Sequence, residues 1–180
     1  MKGVVFCELF ELVESQFGYE LVDRLIDLCE LENDGAYTRV GTYSCSELLS
    51  IVTTLSKETG MPIPDLVKAF GGHLFGKFFA DNEENLKSYR NTFELLIAVE
   101  EIIHVEVRKL WDNVELPSFE YERPNSNQLV MTYNSTRPFA DLCEGLILAC
   151  IEHYQESISV RREDLKDDGT RARFFLSLSS

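Results

Sequence analysis

The sequence predicts an α+β fold, a helical N-terminal part packed on a C-terminal four-stranded antiparallel sheet with helices. Three observations carry this assignment. Up to Trp111 the chain reads as helices separated by glycine and proline stops. Beyond Pro117 it reads as four short β-prone runs. Those runs fall into two pairs, each joined by a turn signal, with one helix-length segment between the pairs.

Val4 to Phe17 alternates apolar and acidic residues at helical spacing, with Val5 and Leu9 as i, i+4 neighbours, and Gly18 ends it. A second helix runs from Tyr19 to Cys29. Asn33-Asp34-Gly35 is a turn signal, and a polar connection leads to Tyr43. Ser44-Cys45-Ser46-Glu47 reads as a capping box opening a helix that reaches Thr59, where Gly60 stops it. Pro62 and Pro64 mark a loop and a helix start, since proline tolerates the first turn. The next helix, Asp65 to Phe79, contains Gly71, Gly72 and Gly76. Helical glycines cost roughly 1 kcal/mol each relative to alanine, so they need a reason, either close helix packing or close approach to a flat ligand.

Asp81 to Arg90 is polar and reads as a loop with a short helix. Phe93 to Trp111 is a long stretch without Gly or Pro, on which Phe93, Leu96, Ile97, Ile103, Val107 and Trp111 share a stripe with His104. Asp112 to Pro117 is a loop. The strands are Phe119 to Glu122, Gln128 to Arg137, Ser157 to Arg162 and Arg171 to Leu178. Pro124-Asn125-Ser126-Asn127 turns the first pair, Lys166-Asp167-Asp168-Gly169 turns the last, and Phe139 to Gln155 is the helix between them. There are no repeats and no linker. A single domain over residues 1–180 is expected, with 1–60 as the helical N-terminal part and 61–180 carrying the sheet. At this length a chain buries roughly 70% of its unfolded surface.

A net charge of −14, from 31 acidic against 17 basic residues, argues against nucleic acid and anionic membrane as partners. No signal-peptide core and no run of apolar residues long enough to span a bilayer is visible, so a cytoplasmic location is expected. Five cysteines without a Cys-x-x-Cys pair fit a reducing compartment. Cys143, Cys150 and His153 share a helix face and could hold a metal, although small buried cysteines packing as hydrophobes is the simpler reading. Walker, His-Glu-x-x-His and Gly-x-Ser-x-Gly motifs are all missing, which points away from an enzyme.

Chemistry concentrates at two places. If the strand from Gln128 continues to Arg137, then Tyr133, Ser135 and Arg137 project from one face, a phenol, a hydroxyl and a guanidinium suited to an anion. A solvated strand face would show the same spacing. His104 lies on the apolar stripe with Glu100 one turn earlier, so it is either a hydrogen-bonded core histidine or a ligand, imidazole being the usual proximal ligand of haem iron. Glu100 is then a partner of that imidazole or simply a carboxylate at the edge.

Ile103-His104-Val105-Glu106-Val107, followed some thirty residues later by Tyr133-x-Ser135-x-Arg137, resembles the haem nitric oxide/oxygen-binding (H-NOX) family. That family includes the sensor domain of animal soluble guanylate cyclase. The similarity runs from Met1-Lys2-Gly3 through Pro62, Ala69-Phe70-Gly71 and Pro117 to Glu144-Gly145-Leu146. The resemblance implies a b-type haem (protoporphyrin IX iron) held between the two parts and anchored by residues 61–180. His104 would be the proximal ligand, Tyr133, Ser135 and Arg137 would hold the propionates, and Pro117 would line the cofactor. The distal side would be Val5, Leu9, Leu74, Phe78, Leu142 and Leu146, six residues with no hydrogen-bond donor; only His73, beside Leu74, could swing inward.

The same resemblance implies a sensor. In the family, nitric oxide weakens the His–iron bond and the N-terminal part moves against the sheet part. Oxygen-binding members carry a distal tyrosine nine residues after the motif tyrosine; here that residue is Leu142. Nitric oxide and carbon monoxide are therefore the expected ligands. The expected partner is a separate signalling protein regulated in trans, a histidine kinase or a cyclic-di-GMP enzyme (diguanylate cyclase or phosphodiesterase). Some members hold zinc in the last hairpin, but Arg162 to Arg171 has neither Cys nor His, so none is expected. The competing readings are a haem enzyme consuming nitric oxide or peroxide, and a haem-free thiol redox sensor or interaction module on the same fold.

Overall fold

The computed structural model describes residues 1–100, 104–105 and 115–179. Glycines set the limits of the N-terminal helices. α1 (Gly3–Phe17) and α2 (Tyr19–Leu28) part at Gly18, whose φ of 87° a glycine adopts with little strain. α3 (Cys45–Thr59) closes on Gly60 at φ 72°, and α4 (Ile63–Asp81) starts with Pro64 in its first turn. Phe6, Leu9, Val13, Leu25, Ile51 and Phe70 pack these four helices into one core.

Only half of the expected capping box forms on α3. The Ser44 hydroxyl accepts from the Ser46 N–H at 3.2 Å. Glu47 does not return the bond, because it is buried and its Oε2 accepts from the Tyr37 hydroxyl at 2.7 Å. A closer counterpart stands at Asn91, with its return bond one residue before the cap. The Asn91 side chain caps α6 (Thr92–Ala98) through the Glu94 N–H at 2.9 Å, and the Glu94 carboxylate reaches back to the Arg90 N–H at 2.9 Å. Between them lies the short α5 (Glu83–Leu86). Past Ala98 the backbone takes a wider turn at Val99–Glu100, and His104 and Val105 are helical again. Ile103, Val107 and Trp111 of the expected stripe, and Asp112 to Val114 of the loop after it, lie outside the described residues.

The four strands are β1 (Ser118–Asn125), β2 (Gln128–Asn134), β3 (Ile158–Asp164) and β4 (Arg171–Leu178), antiparallel in the order β1-β2-β4-β3. Alternation puts Leu129, Met131 and Tyr133 of β2 beside Leu176, Phe174 and Ala172 of β4, all on the buried face. That face packs against α7 (Ala140–Tyr154) through Cys143, Ile147 and Cys150, forming a second core with Phe93 and Leu96 of α6. Leu142 and Leu146, on another face of α7, join the first core. α7 is thus shared by both cores.

Two strand limits differ from expectation. β1 runs on through Pro124 to Asn125 with an irregular register after Glu122, and only Ser126 and Asn127 turn. An edge strand tolerates this, since a proline whose nitrogen faces away from the neighbouring strand removes no ladder hydrogen bond. β2 stops at Asn134, three residues short of Arg137. The reason lies in the β3–β4 turn. The Ser135 N–H bonds to Thr170 O at 2.9 Å and the Ala140 N–H to Gly169 O at 3.1 Å, which draws residues 135–139 out of the ladder.

The glycines of α4 separate into two kinds. A Cβ on Gly71 would stand 2.5 Å from Leu142 O, and one on Gly145 of α7 would stand 2.1 Å from Lys68 O, so these two let the helices meet backbone to backbone. A Cβ on Gly76 would meet nothing within 4 Å, and packing does not account for it. No helix among the described residues is long and apolar enough to cross a membrane.

Candidate functional site

His104 is buried and its ring stacks on Phe119 of β1, with centroids 5.7 Å apart and planes at 29°. Its Nδ1 lies 3.1 Å from Glu100 Oε2, one helical turn back. A carboxylate at Nδ1 holds the proton there and leaves the lone pair on Nε2, the tautomer a metal ligand needs. Of the two readings of Glu100, the structure shows the partner of the imidazole.

Tyr133, Ser135 and Arg137 do come together, though not as a row on one strand face. The Tyr133 hydroxyl donates to Arg137 O at 3.1 Å, and the Ser135 hydroxyl accepts from the Arg137 N–H at 3.0 Å. Both tie the loop after β2 into a fixed shape. Burial pushes the Tyr133 phenol up to about 12, so it stays a neutral donor. The guanidinium leaves the loop and grips Glu115, with Nη1 on its backbone oxygen at 3.0 Å and Nη2 on Oε2 at 2.8 Å. Thr136 Oγ1 donates to Glu115 Oε1 at 2.7 Å. Arg137 therefore binds a carboxylate, the chemistry that the motif suggested. Glu115 was not singled out from the sequence, because its position before β1 carries no pattern.

Val5, Leu9, Leu74, Leu142 and Leu146 gather in the first core, with Leu9 and Leu74 fully buried. Phe78, one turn beyond Leu74, is 38% exposed and does not pack against that core, and Pro117 is half-buried. His73 is engaged elsewhere: its Nε2 meets Glu8 Oε2 at 3.0 Å, while Arg39 Nη2 meets Glu8 Oε1 at 2.7 Å. Glu8 is another residue that the sequence did not flag, and none of its surface reaches water.

The donor set fits a haem: one buried imidazole with an oriented tautomer, an aromatic wall, a carboxylate-binding arginine and five apolar side chains without a donor. The other metal-like groupings do not compete. Cys143 and Cys150 are buried thiols, raised by desolvation, Cys150 to about 12. His153 is exposed and packs on Phe79 at 4.0 Å. Glu8, Glu11 and His73 cluster at metal-like spacing, but Arg39 and Lys77 already neutralise the two carboxylates. A shallow cleft of ≈ 350 Å³ lined by Phe17, Leu21, Arg24 and Glu58 contains none of the site residues.

Residues 2–162 match the family model of haem-NO-binding domains. The chain belongs to the H-NOX family. Solved H-NOX structures superpose along its whole length. The Fe(II) unliganded H-NOX protein from K. algicida is 38% identical, with a TM-score of 0.94 over 100% of this chain and 97% of that one. The S. oneidensis H-NOX protein in its Fe(II)NO state is 28% identical, with a TM-score of 0.91 over 100% of both chains. The H-NOX of Shewanella woodyi, bound to IWP-051 in its Fe(II)CO state, is 38% identical, with a TM-score of 0.86 over 99% and 95%. No curated protein matches the chain. H-NOX domains bind haem and sense gases rather than catalyse reactions, so haem is the cofactor of this fold and the chain is not an enzyme.

Proposed function

We propose that this H-NOX chain is a nitric oxide sensor that regulates a separate signalling protein in trans. The observation that carries the site reading is the His104–Glu100 pair, a buried imidazole whose Nδ1 is held by a carboxylate at 3.1 Å. His104 is then the proximal ligand of a b-type haem bound between the first core and the sheet. Arg137 meets the propionates, from a loop that Tyr133 and Ser135 keep in shape. Val5, Leu9, Leu74, Leu142 and Leu146 would line the side of the cofactor away from His104, with Phe78 and Pro117 as further lining residues. Residues 1–180 act as one haem-binding unit.

Ferrous haem supplies the atom to which nitric oxide or carbon monoxide binds. The chain's own residues fix the imidazole, exclude water and withhold distal donors. Ligand states of relatives support the choice of gas: the S. oneidensis protein is known as an Fe(II)NO complex and the S. woodyi protein as an Fe(II)CO complex. A sensor domain acts by shifting between two packed states that a partner can distinguish, and a cytoplasmic histidine kinase, diguanylate cyclase or phosphodiesterase is the proposed recipient. Cys143 and Cys150 are deeply buried and unsuited to be responsive groups of a thiol sensor, since a raised pKa suppresses the thiolate.

The test is an absorption spectrum of the reduced, haem-loaded protein with and without nitric oxide, followed by an assay of each candidate effector with both forms. A large spectral shift and a changed effector activity are expected. Equal effector activity with both forms would remove the trans-signalling reading while leaving the haem site in place.

A further inference from the structure

A guanidinium offers five N–H donors, and the described bonds of Arg137 to Glu115 use two of them, one on Nη1 and one on Nη2. The grip is therefore on the outer end of the guanidinium. Among the described residues Nε and the remaining Nη hydrogens bond to no other side chain, so they can meet a second carboxylate. Glu115 is itself fixed from a second direction by Thr136, the residue preceding Arg137. Its carboxyl is held below the usual range by the Thr136 hydroxyl and the Arg137 charge, so it is an anion at neutral pH.

The surroundings show why an anion stands there. The N-terminal ammonium of Met1 is anchored on Tyr43 O at 2.6 Å. It feels the positive charge of Arg137, which lowers its pKa after burial does, and the negative charge of Glu115, which raises it. Arg137 and Glu115 thus act with opposite sign on the same ammonium. Without Glu115, Arg137 would lose the carboxylate bond at 2.8 Å that fixes the outer end of its long side chain.

We propose that Glu115 is the positioning residue of the propionate anchor, holding the outer end of the Arg137 guanidinium so that its other donors are presented to a haem propionate. This rests on the reading of Arg137 as the propionate partner. The residue acts through Arg137 and does not touch the cofactor.

The experiment is a double-mutant cycle on the haem-loaded protein, with haem loss to excess apomyoglobin followed by absorbance. Glu115→Gln should speed haem loss about three- to fivefold, the size of a partly exposed ion pair. In an Arg137→Ala background the same change should have no further effect, because the residue it positions is gone. The propionate bending modes in resonance Raman spectra should shift in Glu115→Gln toward their Arg137→Ala positions, which a merely structural role would not produce. Slower or unchanged haem loss in Glu115→Gln, with Arg137→Ala still fast, would overturn the positioning role alone and mark Glu115 as a competitor or bystander. Unchanged haem loss in Arg137→Ala would instead overturn the propionate reading, and the role of Glu115 with it.

Discussion

The His73 imidazole meets the Glu8 carboxylate at 3.0 Å, Nε2 to Oε2, across the contact between α4 and α1. Glu8 is wholly buried, and burial alone would raise its pKa. The hydrogen bonds from Arg39 and His73 outweigh that and hold it below its ordinary value of 4.5. A depressed carboxyl stabilises the fold above its unfolded pKa, and the contribution disappears as pH falls through the folded value. Glu8→Gln should therefore lower stability at pH 7 by about 1.5–3 kcal/mol, towards the lower figure because Arg39 and His73 keep contact with water. Urea unfolding of both proteins should show this difference at pH 7 and its shrinkage below about pH 4. A difference independent of pH would assign the loss to packing alone.

His104→Gly should bind haem poorly unless free imidazole is added to replace the lost ring. Glu100→Gln should weaken haem affinity less, by about ten- to a hundredfold, because the ring remains while its Nδ1 partner loses its charge. Haem titration of the two variants, with and without imidazole, separates the roles. Only His104→Gly should be rescued.

Arg137→Ala should release haem about ten times faster or more, at the lower end for a charge-assisted bond. Ser135→Ala should have a smaller effect, since the serine hydroxyl supports the loop by accepting from the Arg137 N–H. Haem transfer rates give the ranking directly. A larger effect from Ser135 would show that loop shape matters more than the guanidinium charge.

The reduced protein should keep its unliganded spectrum in air, apart from slow oxidation, while responding to nitric oxide and carbon monoxide. Val5, Leu9, Leu74, Leu142 and Leu146 carry no side-chain donor, and His73 is held by Glu8. A donor to bound dioxygen contributes roughly 1.5–3 kcal/mol, or about one to two orders of magnitude in affinity. A stable new spectrum in air would mean that His73 leaves Glu8 and turns into the pocket. In that case Glu8→Gln should enhance it.

Sequence patterns foretold this fold where structure is decided locally. Gly18 and Gly60 end helices by their own backbone freedom, and α2, α3, β4 and α7 lie within a residue or two of the expected limits. The burial of His104 was legible because the sequence around it is apolar. The shape of the Tyr133–Arg137 segment was not legible, because residues 169 and 170, more than thirty positions later, decide where β2 stops. Glu47 lost its capping role to Tyr37, and Glu8 gained partners 31 and 65 residues away. Acidic residues are abundant in this chain, so a carboxylate with a task looks in sequence like one without.

The crossing of α4 and α7 has a mechanical consequence. Side chains in contact absorb a small displacement by changing rotamer. At Gly71 and Gly145 no side chain stands between the two backbones, and a Cβ on either would lie 2.5 Å or less from the opposing carbonyl oxygen. The two helices therefore behave as a single stiff plate, with Leu9, Phe70 and Leu74 packed on one side and Ile147, Cys150 and Phe174 on the other. A push on one core reaches the other without slack.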